Sequence, residues 1–459
     1  MTSSSDVKSA LDGRSALLQD ASRRALRYLA GLADRPVAPP TEAVSDLRQL
    51  DFPLPASGRD PAEVLALLDE IGSPATMASA GPRYFGFVTG GTLPVAQAAG
   101  WLASAWDQNA ALSVMSPTAT ALDAVALRWV TELLGLPEGA GGGFVTGATL
   151  ANLTCLAAAR DEVLRRHGWD AAGQGLVGAP PITVVVGGEA HATVRKALGL
   201  IGLGRGRAQL LPADGQGRIV PRDLPSLSGP VIVCLQAGNV NSGASDPFVP
   251  LVTWAREQGA WVHVDGAFGL WAAACPATAE QVAGVAEADS WATDAHKWLN
   301  TQYDCGVALV RDAAVLAAAM EASAAYLPGD VSRQPMHFTP QSSQRARGVE
   351  VWAVLAALGR DGVAALVGRT CQLARRFADG MRDAGFSVLN DVVLNQVVVD
   401  FGNAARTDSV IAAIQREGTC WCGPTAWHGR TAMRVSVSGW NTTDDDIEKS
   451  IAAVRAASR

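Results

Sequence analysis

From about residue 120 onward, amphipathic helical patterns alternate with short runs of β-branched residues bounded by glycine and proline, and this alternation limits the fold more than any other feature. Helical periodicity covers Leu122 to Leu134 and Leu150 to Leu164; the runs are Ile182 to Val186, Val231 to Leu235, Trp261 to Val264 and Val307 to Val310. Apolar residues at every position of a run need both faces covered, which predicts an α/β fold with a mostly parallel central sheet. Ligands of such sheets lie beyond the carboxyl ends of the strands. The polar residues there are His191 after the first run, Asn239 and Asn241 after the second, and Asp265 closing the third.

Around this centre the pattern predicts three parts. Residues 1–75 form an N-terminal helical arm, with an amphipathic helix over 14–34 whose Leu17, Leu18, Ala21, Ala25, Leu26 and Leu29 share a face and whose Arg23, Arg24 and Arg27 lie largely opposite. A Pro- and Asp-rich stretch follows it as an extended arm suited to a dimer contact. Residues 76–345 form the large domain. Residues 346–459 form a smaller α+β domain that opens with a long helix near Arg347 and carries strands near Val393 to Phe401 and Met433 to Val437.

The charge of −7 and the dispersion of the 37 basic residues argue against nucleic acid as a partner. No run reaches the roughly 18 consecutive apolar residues of a membrane span, and the first residues lack an apolar signal core. A cytoplasmic protein is the expectation. The seven cysteines are scattered, and only Cys420 and Cys422 are close in sequence, so neither a disulfide framework nor a metal site is expected.

Lysine is scarce: Lys8, Lys196, Lys297 and Lys449 are the only four. Lys297 lies in the apolar segment ATDAHKWLN, where desolvation favours a neutral amine able to attack a carbonyl; a surface lysine at a helix end is the alternative. Asp265 ends the alternating strand WVHVD. As a buried carboxylate it needs a cation, which the protonated ring nitrogen of pyridoxal phosphate would supply; as an ordinary residue it would cap a helix. Gly147, Ala148 and Thr149 follow a glycine-rich stretch and open a helix whose free amides suit a phosphate, although small residues there also make a plain loop. His191 is placed either to stack on a flat cofactor or to sit beside a helix N-cap.

The segments TGATLANLTCLAAAR, GGEAHATVRKA, QAGNVNSGASDPF, WVHVDGAFG, ADSWATDAHKWLNTQYDCG and RARGVEVW, over roughly residues 80 to 360, resemble the pyridoxal-phosphate-dependent group II decarboxylases. That fold-type-I family includes aromatic-L-amino-acid, glutamate and tyrosine decarboxylases. The resemblance implies pyridoxal 5'-phosphate (PLP) as cofactor, Lys297 as the Schiff-base lysine, Asp265 as partner of the pyridine nitrogen and His191 stacked on the ring. It also implies a cofactor site of Gly147, Ala148, Thr149, Asn241, Ala267, Asp294 and His296, although the position matching Asp294 is often Asn in the family. A homodimer with the active site near its interface and decarboxylation of an L-amino acid follow from the same resemblance.

One departure bears on the reaction. The family's decarboxylases carry a tyrosine on a loop that corresponds to PGDVSRQPMHFTPQSSQ, which has none; Tyr326 precedes it, and Pro335 or Phe338 takes the tyrosine's place. Decarboxylation-coupled oxidative deamination to an aldehyde with consumption of O2, amino transfer, or a catalytically degenerate partner protein are therefore the competing readings, and His337 is a substitute acid. Phe87, His337, Phe338 and Arg434 are the candidate substrate contacts. Trp101 and Trp106 are either further contacts or core residues.

Overall fold

The computed structural model describes residues 4–321 and 333–459, with side chains from residue 13 onward. Tyr326 and the first part of the loop that follows it lie outside the described residues.

The large sheet has seven strands: β1 (Gly141–Val145), β2 (Thr183–Gly187), β3 (Gln209–Leu211), β4 (Val231–Gln236), β5 (Trp261–Asp265), β6 (Ser290–Asp294) and β7 (Gly306–Val310). Their spatial order is β1-β7-β6-β5-β4-β2-β3, and only β7 runs antiparallel to its neighbours. The fold-type-I expectation is met. Alternation along each strand divides the core in two. Val262 and Val264 of β5 face the core that also holds Val351, Val354 and Phe248, while Trp261 and Cys234 face the one filled by the helices Ala148–Arg166, Ala192–Leu200 and Ala313–Met320.

A second sheet comprises β8 (Ser387–Val388), β9 (Gln396–Asp400), β10 (Gly423–Trp427) and β11 (Arg430–Ser436), ordered β10-β11-β9-β8 and antiparallel throughout. Its core is closed by the helices Ala404–Glu417 and Asp444–Ala457. The helix Arg347–Asp383 serves both cores. Val351 to Cys371 belong to the large one and Leu373 to Met381 to the small one, with a break in helical geometry at Gly359 (φ 61°). By length and composition this helix could cross a membrane; here its apolar side chains are shared between these cores and the surface.

The first helix spans Ser4–Ala30 rather than 14–34. Leu18 and Leu26 remain 63% and 56% exposed, and Arg24 turns inward to bond Asp20 and Asp69, each at 2.9 Å, so its guanidinium is not opposite the packed face. The stretch expected to be extended contains short helices at Thr41–Asp46 and Pro61–Leu67 that bury none of their residues. Trp101 and Trp106 are 43% and 42% exposed and belong to neither core.

In the large sheet, β1, β3 and β6 had no clear signature in the sequence. β1 reads GGGFV because it is squeezed: a Cβ at Gly142 would fall 1.7 Å from the Ala308 carbonyl oxygen. β6 reads SWATD, too polar for a buried run. Where β7 begins, a Cβ at Gly306 would sit 2.5 Å from the Gly147 Cα. Gly306→Ala is therefore expected to lower stability by about 2 kcal/mol, read by urea unfolding; a change within about 0.5 kcal/mol would show that the Gly147 turn yields freely.

Candidate active site

Parallel strands bring their carboxyl ends to one edge, so Asp265 at the end of β5 and Asp294 at the end of β6 arrive side by side, both buried. Asp294 is the hub. Its Oδ1 accepts the Ala148 amide at 2.6 Å, its Oδ2 lies 3.2 Å from Lys297 Nζ, and His296 Nε2 stands 3.7 Å away. The Trp271 indole donates to the Asp294 carbonyl at 3.0 Å, and His296 Nδ1 accepts the Cys305 amide at 3.1 Å. The lysine amine thus has a carboxylate beside it instead of an apolar pocket alone.

Asp265 accepts one hydrogen bond among the described residues, from the Ala267 amide at 3.3 Å, and caps no helix. Burial pushes its carboxyl above the usual range, with the positive fields of His191 and Lys297 pulling back. A carboxylate in this position is short of a cation. His191 lines a narrow enclosed gap with Asp265, Gly187 and Gln236. It is itself the N-cap of the helix Ala192–Leu200: its Nδ1 accepts the Thr193 amide at 3.3 Å and lies 2.8 Å from the Thr193 hydroxyl. The helix-end reading of His191 is therefore met, and its ring also borders the gap beside Asp265. Burial pushes its pKa below the ordinary histidine value.

Gly147 caps the helix Ala148–Arg166, and its carbonyl accepts the amides of Leu150 and Ala151. Neither the amide nor the hydroxyl of Thr149 has a protein partner among the described residues, which leaves both for an anion. Arg434, half-buried on β11, donates to the Val240 carbonyl at 3.4 Å, and its charge is felt at His191.

The Asn241 side-chain oxygen accepts the Thr425 hydroxyl at 2.6 Å and its backbone amide donates to Asn239 Oδ1 at 2.8 Å, so it is tied to β10 while its Nδ2 has no protein partner among the described residues. Pro335 and Met336 are buried, and Phe338 packs at the middle of β1, next to Gly143, with the Arg333 guanidinium 4.1 Å over its ring. Neither His337 nor Phe338 has a described contact with the lysine group in this chain.

Phe87 is brought close from a distance in sequence. A Cβ at Gly90 would fall 2.0 Å from the Lys297 carbonyl oxygen, so its loop lies directly against the lysine. Phe87 and Val88 hold φ of 53° and 59°, an uncommon pair of left-handed residues without glycine, and Phe87 stays 64% exposed. Trp421 flanks it at 5.6 Å between ring centroids and stacks on Tyr84 at 5.1 Å. Tyr303 was not foreseen; its ring lies 4.3 Å from that of His296, and its hydroxyl 3.5 Å from that of Thr89. Only its proximity to Lys297 in sequence could have flagged it. A wider groove of about 640 Å³ between Asp161, Trp169 and Ala319 lies on the outer helical face and lacks such convergent groups.

This arrangement can be set beside known proteins. Residues 48–401 match the family model described as the pyridoxal-dependent decarboxylase conserved domain. The chain belongs to this family. It is 27% identical to tyrosine decarboxylase 2 of Arabidopsis thaliana over 92% of this chain and 82% of that one. It is 28% identical to the phenylacetaldehyde synthase of the same plant over 73% of each. Among solved structures it resembles the Oryza sativa TDC determined with PLP and tryptamine, with a TM-score of 0.86 at 23% identity over 99% of this chain and 98% of that one. PLP is the family's cofactor, and the cation-poor Asp265, the Lys297 amine and the open Thr149 groups fit it.

The buried histidines make a pH prediction. His263, on the same face of β5 as Asp265, is fully buried and pushed down to about 3 from an ordinary 6.5. A depressed histidine pKa means that the unfolded chain takes up the proton first, so the contribution to stability is full above about pH 6.5 and is lost as pH falls towards 3. Between pH 7 and pH 5 this residue alone should cost about 2 kcal/mol in urea unfolding. His191 and His296, also lowered by burial, act in the same direction. His263→Gln should remove about that much of the pH dependence; an unchanged dependence would contradict the assignment.

Proposed function

We propose that the chain is a PLP-dependent decarboxylase of an L-amino acid with an aromatic or bulky apolar side chain, acting as a homodimer. The observation that carries the reading is the convergence of Lys297, Asp294, Asp265 and His191 on one sheet edge, beside a helix start with an uncommitted residue. PLP bound there supplies an electron sink, a cationic ring conjugated to the substrate amine.

The chain's own residues would do the rest. Lys297 would carry the cofactor, and Asp294 holds its amine in place while fixing the Gly147 turn against it. Asp265 would keep a ring nitrogen protonated, because a buried carboxylate with a single amide donor gains most from a nearby cation. Ala148 and Thr149 at the helix start would hold the phosphate without a basic side chain, helped by the helix dipole. Ala267, after β5, would leave room for a flat ring, and His191 would cover it. Arg434 would orient a carboxylate through its guanidinium fork.

The side-chain preference rests on Phe87 and Trp421. The loop that carries Phe87 lies against the Lys297 backbone at Gly90, and exposed Phe87 with half-buried Trp421 beside it would give a flat apolar side chain an aromatic surface to pack on. The names of the tyrosine decarboxylase and phenylacetaldehyde synthase relatives agree with such a substrate. The dimer rests on exposed apolar residues, Trp101, Leu102 and Trp106 on the helix Pro94–Trp106 and Val114 and Met115 shortly after it, which a second copy would cover.

A second reading, decarboxylation coupled to oxidative deamination, in which O2 and water are consumed and CO2, aldehyde, ammonia and peroxide are released, is favoured by the absence of a tyrosine from the loop that ends at Gln344 and by the phenylacetaldehyde synthase match. Incubation with each common L-amino acid, recording CO2, amine, aldehyde and peroxide, separates the two. CO2 with an equal yield of amine, greatest for an aromatic substrate, is expected, and Asp265→Ala should lower that rate about a thousandfold or more. CO2 with aldehyde and peroxide would establish the second reading. A keto acid without CO2 would overturn both.

A further inference from the structure

Alternation on β5 places Trp261, His263 and Asp265 on one face, so the strand that delivers Asp265 also delivers an indole and an imidazole to the helix behind it. There they join a continuous buried chain of hydrogen bonds. The Trp261 indole Nε1 donates to Ser290 Oγ at 2.9 Å, Ser290 Oγ lies 2.9 Å from His263 Nδ1, and His263 Nε2 lies 2.8 Å from Asn152 Oδ1. Asn152 Nδ2 then donates to Thr193 Oγ1 at 3.4 Å, and Thr193 Oγ1 lies 2.8 Å from His191 Nδ1. Asn152, His263 and Ser290 are each wholly excluded from solvent.

The chain has a direction. His263 is neutral, as its burial requires. The Asn152 carbonyl oxygen can only accept, so His263 Nε2 donates to it; Nδ1 of the neutral ring then accepts, and the Ser290 hydroxyl donates to it while taking the indole N–H. The amide nitrogen of Asn152 donates to the Thr193 oxygen, and the Thr193 hydroxyl is left to donate to His191 Nδ1. The Thr193 backbone amide donates to the same nitrogen at 3.3 Å. With Nδ1 fixed as an acceptor, the proton of a neutral His191 resides on Nε2.

We propose that Thr193, Asn152 and His263 are positioning residues that hold His191 as the neutral Nε2–H tautomer, presenting a donor to the gap it shares with Asp265. His191 then acts on a bound molecule by donating a hydrogen bond and cannot serve as a base through Nε2. The inference rests on the proposed active site only for its catalytic consequence; the tautomer is a property of the protein with or without cofactor.

The chain has six histidines, so imidazole nitrogen-15 labelling gives a resolvable spectrum. In the wild-type protein at pH 7, with and without PLP, His191 and His263 are both expected as neutral Nε2–H tautomers. An Nδ1–H form of His263 would mean that the chain runs the other way, and a cationic or Nδ1–H His191 would mean that it is not held; either result overturns the proposal. Asn152→Asp replaces the amide donor by an acceptor of the same shape. It should draw the Thr193 hydroxyl away, raise the Nδ1–H population of His191 and lower kcat about tenfold with little change in KM. Thr193→Val should lower kcat similarly and Thr193→Ser should restore it. Variants with normal His191 tautomer and normal kcat would also overturn the proposal, whereas loss of the bound cofactor's visible absorption in the wild type would count against the active-site reading instead.

Discussion

The contact between Lys297 and Asp294 is the constraint on which the rest of the site depends. A buried carboxylate is tolerated only with compensation, and removing one partner of such a pair costs about 3–5 kcal/mol. Asp294 obtains its compensation from the lysine and the Ala148 amide, with the imidazole of His296 standing 3.7 Å away. The two donors come from different places in the chain, so one carboxylate fixes the helix start and the amine. The missing side chains of Gly306 and Gly90 allow this closeness, since a Cβ at either would strike the Gly147 turn or the Lys297 backbone.

Sheet geometry supplies the second carboxylate without further cost. β5 and β6 are parallel neighbours, with Asp265 opposite Ala292, so their carboxyl ends reach the same edge while Asp294 extends two residues beyond. The two acids then serve different tasks because their surroundings differ. Asp294 is paired within the chain. Asp265 has one amide donor and is pushed towards protonation by burial, which makes it the group most stabilised by an external cation. The same face of β5 sends His263 back into the core, so the strand also reaches His191 through the buried hydrogen-bond chain.

Much of this was legible in the sequence where local pattern and function coincide. The β-branched runs of β2, β4, β5 and β7 announced themselves, and the polar residues at the ends of β2, β4 and β5 marked the ligand edge; β7, antiparallel to its neighbours, ends at the opposite edge. The glycines of β1 hid a strand because they answer to the tight approach of Ala308, Ala313 and Thr339, which no local pattern records. Lys297, Asp265 and His191 stood out by type and place, and the resemblance gave them roles. Asp294 was expected near the phosphate and the lysine; its work as a hub depends on the Ala148 amide, 146 positions away in sequence. Asn241, assigned to the cofactor by the resemblance, also bonds Thr425 of β10 through its side-chain oxygen, a link no local pattern records. Tyr303, Trp421 and Asn152 carry no signal of their own because their importance arises only from packing.

With four lysines in the whole chain, the central claim can be put to one direct measurement. The protein saturated with PLP is reduced with borohydride, digested and sequenced by mass spectrometry to find the residue that has gained the pyridoxyl group. The account predicts stoichiometric labelling of Lys297. A label on Lys8, Lys196 or Lys449, or none at all, would contradict it.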